Sequence, residues 1–76
     1  MNNQRRGQNV TSFCISVEGK TTDIRTEAAF PGDPGVDEVC RSAIEAWRFT
    51  PYVDKQGRTM KLCRVEVRFE IRFTRM

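Results

Sequence analysis

The sequence predicts a small α+β domain, in which an antiparallel sheet carries one helix on one face, in the order β-β-α-β. Two stretches alternate apolar and polar residues with a period of two, which is typical of half-buried strands. A central stretch places apolar residues at helical spacing. Turn-forming residues separate these segments, and 76 residues suffice for one small domain.

The first strand is expected to begin near Val10. Residues 1–9 are polar and without period, so we interpret them as a flexible tail, with the domain proper at residues 10–76. The alternating positions that share one face are Thr11, Phe13, Ile15 and Val17. A turn at Glu18-Gly19-Lys20 leads to a Thr-rich second strand over residues 21–26, so the pair forms a hairpin.

The helix is predicted after a loop rich in proline and glycine. Asp33 is a suitable N-cap, and Pro34 suits the first helical position. Thr50-Pro51 ends the helical segment, because a residue before proline avoids the α conformation. The apolar or small residues at helical spacing are Val36, Val39, Cys40, Ala43, Ile44 and Trp47. This face should cover the sheet, with Trp47 buried against the last strand.

The last strand is the most regular segment, and it follows a turn near residues 55–58. One face is apolar and comprises Cys63, Val65, Val67, Phe69, Ile71 and Phe73. The other face is charged and comprises Arg64, Glu66, Arg68, Glu70 and Arg72. With about 14 residues against seven in the first strand, it should leave much of its backbone unpaired. Such an edge is a template for strand addition, although charged side chains can equally protect it.

Composition disfavours several function classes. Thirteen Lys and Arg against ten Asp and Glu leave a net charge of +3, which neither requires nor excludes nucleic acid. Histidine is absent, which removes His-based catalysis and Cys/His zinc sites. No apolar run is long enough to span a membrane. We therefore expect no catalytic residues, no metal site and no cofactor, and a protein that is not an enzyme.

Nucleic-acid binding is the main alternative from chemistry alone. Arg64, Arg68 and Arg72 share one face of the last strand, but Glu66 and Glu70 lie between them and offset their charge. The phenylalanines of this strand lie on the opposite face, where they cannot serve as exposed stacking platforms. No nucleic-acid partner is expected, and a stand-alone RNA- or protein-binding module remains the second hypothesis.

Four features together resemble the C-terminal domain of the TonB family of periplasmic energy transducers. They are an alternating strand before a glycine turn, a helix over residues 36–46, a terminal alternating strand, and the string Trp47-Arg48-Phe49-Thr50-Pro51. That string, with Trp47, Arg48, Phe49 and Pro51 as its signature positions, is similar to the family's Trp-Arg-aromatic-x-Pro motif. The resemblance covers about residues 10–73.

The resemblance implies a binding module that recognises the TonB box of TonB-dependent outer-membrane transporters, for energised uptake of siderophore-type or similar substrates. In this family a peptide strand adds to the last strand of the domain. The corresponding residues here are Arg64, Val65, Glu66, Val67, Arg68, Phe69, Glu70, Ile71 and Arg72. The implied location is the periplasm, as the soluble part of an inner-membrane-anchored protein coupled to the ExbB–ExbD complex. The family's membrane helix and Pro-rich spacer are not in this sequence, so it reads as an excised domain or a free-standing relative.

Two further expectations concern the cysteines and self-association. Cys40 lies on the apolar face of the helix and Cys63 on the apolar face of the last strand, so a Cys40–Cys63 disulfide is predicted, with Cys14 as the odd thiol. Three unlinked thiols are the alternative. The oxidising periplasm implied by the resemblance would preserve such a bridge. A homodimer through the last strand is also expected, because a second copy can cover an open edge.

Overall fold

The computed structural model describes residues 4–74, and it confirms the α+β class. The elements are β1 (Gln4–Ile15), β2 (Thr21–Ala28), α1 (Pro34–Glu45), β3 (Tyr52–Val53), β4 (Thr59–Met60) and β5 (Leu62–Thr74). Three strands form an antiparallel sheet in the order β2-β1-β5. β3 and β4 form a separate short hairpin between α1 and β5, around the predicted turn.

β1 is longer than predicted, and the interpretation of residues 4–9 as a flexible tail was wrong. These residues continue β1 and pair with β5, from Gln4 opposite Thr74 to Ile15 opposite Leu62. Residues 1–3 lie outside the described part of the chain. β1 accompanies β5 over its whole length, so the predicted large difference in length between the two strands was also wrong. The unpaired backbone of β5 is on its other side.

The start of β1 escaped prediction because its first residues are polar, including the buried Asn9, whereas Thr11 already lay in the predicted strand. Asn9 and Thr11 are both 0% exposed. The Asn9 amide Nδ2 donates to Oδ1 of Asp37 at 2.7 Å, and the Thr11 hydroxyl donates to Oδ1 of Asn9 at 2.5 Å. The backbone N–H of Phe30 donates to the same Asp37 oxygen at 2.7 Å. This buried network ties the first turns of α1 to the central strand, and polar partners replace the apolar alternation that marks a strand.

α1 begins as predicted, but it ends earlier. Asp33 is the N-cap and accepts a hydrogen bond from the backbone N–H of Gly35 at 3.1 Å, with proline in the first turn. The helix ends at Glu45 with Ala46 as C-cap, so the predicted stop at Pro51 lies beyond its end. Val36, Cys40 and Ile44 form its buried stripe.

The core has two adjoining clusters beneath this stripe. Ile44 joins Phe13 and Ile15 of β1 in the first cluster. Val36 and Cys40 join Phe30 in the second. The partly buried residues packed against these clusters are Ile24, Trp47, Val65, Val67, Phe69 and Ile71. The helix-facing side of β5 therefore only borders the buried core.

Trp47 is half-buried, and the prediction that it is buried against β5 was only partly right. Its ring contacts Phe69 at 6.3 Å between centroids, but also Phe13 and Phe49, each at 6.2 Å. Trp47 lies just beyond α1, where the chain turns back across the β1–β2 hairpin. The backbone N–H of Phe49 donates there to the carbonyl of Gly19 at 2.9 Å.

The predicted Cys40–Cys63 disulfide was wrong: Cys14 is bonded to Cys63, and Cys40 is free and buried. A β-bulge in β5 is the reason. Phe13 pairs with Val65 and Ile15 pairs with Leu62, so two residues of β5 lie opposite Cys14. Arg64 occupies the extra position with a left-handed φ of 60°. The bulge shifts the alternation, which moves Cys63 from the helix-facing side of the sheet to the side of Cys14.

Candidate functional site

The outer edge of β5 is open. The only neighbour of β5 in the sheet is β1, and no other described strand lies along its second side. In a strand that is paired on one side, alternate backbone N–H and C=O groups point away from the neighbour. β5 therefore presents a row of donors and acceptors with which an extended peptide can pair.

The opposite edge of the sheet, formed by β2, is a poorer template. β2 has eight residues against thirteen in β5. Two register shifts interrupt its pairing with β1, and Asp23 has a left-handed φ of 52°. Irregularities of this kind protect sheet edges from strand addition. β5 instead keeps an unbroken register with β1 between Val65 and Phe73.

An apolar groove runs beside the open edge, between α1 and the helix-facing side of β5. α1 packs mainly on β2 and β1, so its apolar residues on the β5 side remain uncovered. Val39 is 68% exposed and Phe73 is 45% exposed. The groove is lined chiefly by Val39, Cys40 and Ala43 from α1 and by Phe69, Ile71 and Phe73 from β5. A strand added to β5 would point alternate side chains into this groove.

The other face of β5 carries alternating charges that no described residue neutralises. The charged positions are Arg64, Glu66, Arg68, Glu70 and Arg72, and none of them forms an ion pair within residues 6–73, whose side chains the structure describes. Three of their cross-strand neighbours on β1 are the uncharged residues Ser12, Val10 and Gln8. The fourth pair brings Arg72 opposite Arg6. Like charges directly opposite each other are unfavourable, so Arg72 lacks a complementary neighbour on β1. Glu70 accepts one long hydrogen bond, 3.4 Å, from the amide of Gln8.

All nine residues predicted to bind a partner, 64–72, lie in β5. Arg64 differs from the rest, because it occupies the bulge. The regular part of the edge therefore begins at Val65 and extends to Thr74, two residues beyond the predicted segment.

The four signature residues lie away from the open edge and hold the end of the helix in place. The Arg48 guanidinium donates to the carbonyls of Glu45 at 3.1 Å and Trp47 at 2.8 Å. The ring of Phe49 stacks on Phe13 at 5.9 Å. Pro51 is half-buried beyond them. Ring packing therefore accounts for Trp47 and Phe49, and hydrogen bonding accounts for Arg48.

Cys40 is poorly suited to nucleophilic chemistry. It is 4% exposed, and burial raises the pKa of its thiol, with a further increase from Asp37 that Arg41 partly offsets. A thiol with a raised pKa holds less of the reactive thiolate at neutral pH. Cys40 therefore serves as a small apolar residue at the floor of the groove.

The sequence pattern missed two features of this site. The groove depends on Val39 and Ala43 remaining uncovered, whereas their helical spacing predicted contact with the sheet. The buried network of Asn9, Thr11 and Asp37 was also missed. The one sign of this network in the sequence is Asp37 in the first turn of the helix. An acidic residue is common there because it interacts favourably with the helix dipole, so Asp37 did not indicate a buried partner.

Within residues 4–74, no group of three or more His, Cys, Asp or Glu side chains is arranged to hold a metal ion. The single described helix, at twelve residues, is too short to cross a membrane.

Comparison with protein-family models, curated proteins and solved structures finds no match for this chain.

Proposed function

We propose that this domain is a receptor-recognition module of the TonB-like type, which binds an extended peptide by strand addition to β5. The observation that carries the proposal is the open, regular edge over residues 65–73 with an apolar groove beside it. Backbone hydrogen bonds would supply affinity, and the groove would select apolar side chains at every second position of the peptide.

The proposed partner is the TonB box of an outer-membrane transporter, and the proposed location is the periplasm. The Cys14–Cys63 disulfide supports an oxidising compartment. Within a longer, membrane-anchored protein, the domain would receive energy through the ExbB–ExbD complex and contribute to uptake of siderophore-type or similar substrates. The role is one of binding, without catalysis.

The test is an NMR titration with a TonB-box peptide and, separately, a single-stranded oligonucleotide. We expect the peptide to shift the backbone amides of residues 65–73 most strongly. Oligonucleotide shifts centred on Arg68 and Arg72, with no response to the peptide, would instead support the nucleic-acid-binding alternative. No response to either ligand would contradict the proposed function.

A matched pair of helix variants tests the groove. Val39→Lys places a charge in the groove, and we expect it to weaken peptide binding about tenfold or more, because a buried charge must lose its hydration. Ser42→Lys adds the same charge at an exposed helical position that does not line the groove, so its affinity should stay within about twofold. Equal affinities for the two variants would show that the peptide does not use the groove.

A further inference from the structure

The charges on the outer face of β5 form a self-complementary pattern. When a strand pairs antiparallel with a copy of itself, each residue meets one at the same distance on the other side of the two-fold axis. With the axis at Phe69, Arg68 meets Glu70 of the other copy, and Arg72 meets its Glu66. Each contact occurs twice by symmetry, and all four pairs are of opposite charge.

A shift of the axis by one residue reverses this result. With the axis at Arg68, Arg64 meets Arg72 and Glu66 meets Glu70, while Arg68 meets its own copy. Every charged pair is then of like sign, which is unfavourable between directly opposed residues. The alternating charges of β5 therefore favour pairing with a second copy of β5, and they favour an axis at Phe69 over one at Arg68.

We propose that, without a bound peptide, β5 pairs antiparallel with β5 of a second copy of this chain, with the two-fold axis at Phe69. Two three-stranded sheets would then form one continuous sheet with both helices on the same face. This inference goes beyond the proposed function and does not depend on it, because it requires no peptide.

The bulge favours Phe69 over the other complementary register, which has its axis at Val67. An axis at Val67 would draw the bulged residues Cys63 and Arg64 into the pairing. An axis at Phe69 uses residues 65–73, four on each side of the axis, and all of them lie in the regular part of the edge. This axis also places Glu66 of the other copy opposite Arg72. Within its own chain, Arg72 lies opposite Arg6, which has the same charge.

The helix-facing side of this pairing is apolar throughout. Phe69 meets its own copy on the axis, Val67 meets Ile71, and Val65 meets Phe73. The added strand brings these side chains over the groove of each protomer, which removes the exposed surface of Phe73 from water. Both faces of β5 are therefore complementary to themselves in one register.

Self-pairing and peptide addition would compete for the same edge. A peptide could enter only after the two copies separate, so the dimer would lower the apparent peptide affinity as protein concentration rises. The domain would thus keep its exposed edge covered until a ligand displaces the second copy.

Sedimentation equilibrium with single charge reversals tests the dimer and its register. We expect the wild-type protein to reach twice its 8.8 kDa mass as concentration rises. Arg72→Glu should weaken the dimer about tenfold or more, because it places two carboxylates opposite each other twice. Arg64→Glu, a matched reversal on the same face, should change it less than threefold, since Arg64 then lies opposite the uncharged residue 74.

A double reversal provides the rescue. Glu66→Arg with Arg72→Glu exchanges the charges of one pair, keeps the net charge and should restore wild-type association. Circular dichroism confirms that each variant is folded, and Arg72→Glu should fold well because it removes the like-charge pair with Arg6.

Three results would overturn the proposal. The wild-type protein could remain a monomer at about 1 mM, or Arg72→Glu could leave the dimer affinity unchanged. Arg64→Glu could also weaken the dimer as much as Arg72→Glu does. Repeating the peptide titration on the Arg72→Glu variant measures peptide binding in a protein whose self-association is weakened. The two proposals can therefore fail independently.

Discussion

Gly19 joins two distant parts of the chain at a point where a side chain has no room. Its φ is +86°, and a Cβ at this position would overlap the carbonyl oxygen of Phe49. The same backbone accepts a hydrogen bond from the N–H of Phe49. The close approach lets the segment after α1 cross the β1–β2 turn, so Gly19 is needed for both conformation and space.

We predict that Gly19→Ala destabilises the domain much more than Gly57→Ala. Gly57 has a similar φ of +81° but open space around it, so its substitution should cost about 1 kcal/mol from backbone strain alone. At Gly19 the clash with the Phe49 carbonyl adds to that strain, and about 3 kcal/mol or more is expected. Urea unfolding of the two variants measures the difference. Equal urea midpoints for the two variants would show that the segment after α1 can move away from the β1–β2 turn at little cost.

Asp37 shows how one buried side chain can replace an apolar contact. Its Oδ1 accepts hydrogen bonds from the Asn9 amide and the Phe30 backbone N–H, which a charged acceptor makes stronger than neutral bonds. The carboxylate is 5% exposed, so its partners are what make its burial tolerable. This cluster aligns α1 over β1 and leaves the β5 side of the helix uncovered.

At the scale of the elements, the bulge in β5 decides both the disulfide and the useful edge. One extra residue, Arg64, reverses the direction of every side chain before it. Cys63 thereby meets Cys14, and the regular pairing surface starts at Val65. The bridge anchors the first part of β5 to β1 next to the bulge.

We predict that the native protein contains one Cys14–Cys63 bridge and one slow-reacting thiol at Cys40. Because burial raises the pKa of the Cys40 thiol, its alkylation near neutral pH should be slow and should accelerate as pH rises or the protein unfolds. Peptide mapping after alkylation without reductant identifies the pair. Three alkylated cysteines, or a bridge that includes Cys40, would contradict the structure.

Reduction of this bridge should destabilise the domain. The bonded cysteines are 49 positions apart, and closing a loop of that size contributes about 4 kcal/mol in the chain-entropy model. Thermal unfolding with and without reductant gives the change, and the same comparison on a Cys40→Ala variant, which keeps the bridge, controls for the free thiol.

At the scale of the whole molecule, the sheet is asymmetric in its exposure. β1 is paired on both sides, while β2 and β5 each have one open side among the described strands. The helix covers the sheet toward β2, so the open edge with an apolar groove beside it is that of β5. A partner strand should therefore add to the edge of β5, because only that edge has an apolar groove beside it.

Hydrogen exchange should report this asymmetry. At low protein concentration, we predict slow exchange along the central part of β1 and alternating slow and fast exchange in residues 65–73, because only every second amide of β5 points to β1. A saturating peptide or a high protein concentration should slow the fast set. Uniform protection of β5 in the dilute protein would show that its edge is already covered.

Local sequence patterns were enough to predict the α+β class, the helix start at Asp33-Pro34 and the alternating faces of β5, because these follow from capping and from periods of two and 3.6 residues. Tertiary structure set the start of β1, because Asn9 is buried through its hydrogen bond to Asp37 on α1. It also decided the disulfide, since the bulge at Arg64 changes the face of Cys63 without altering the apparent alternation. The groove has the same origin: Val39 and Ala43 have the spacing of core residues, but α1 lies over β1 and β2, and this placement leaves them uncovered beside β5.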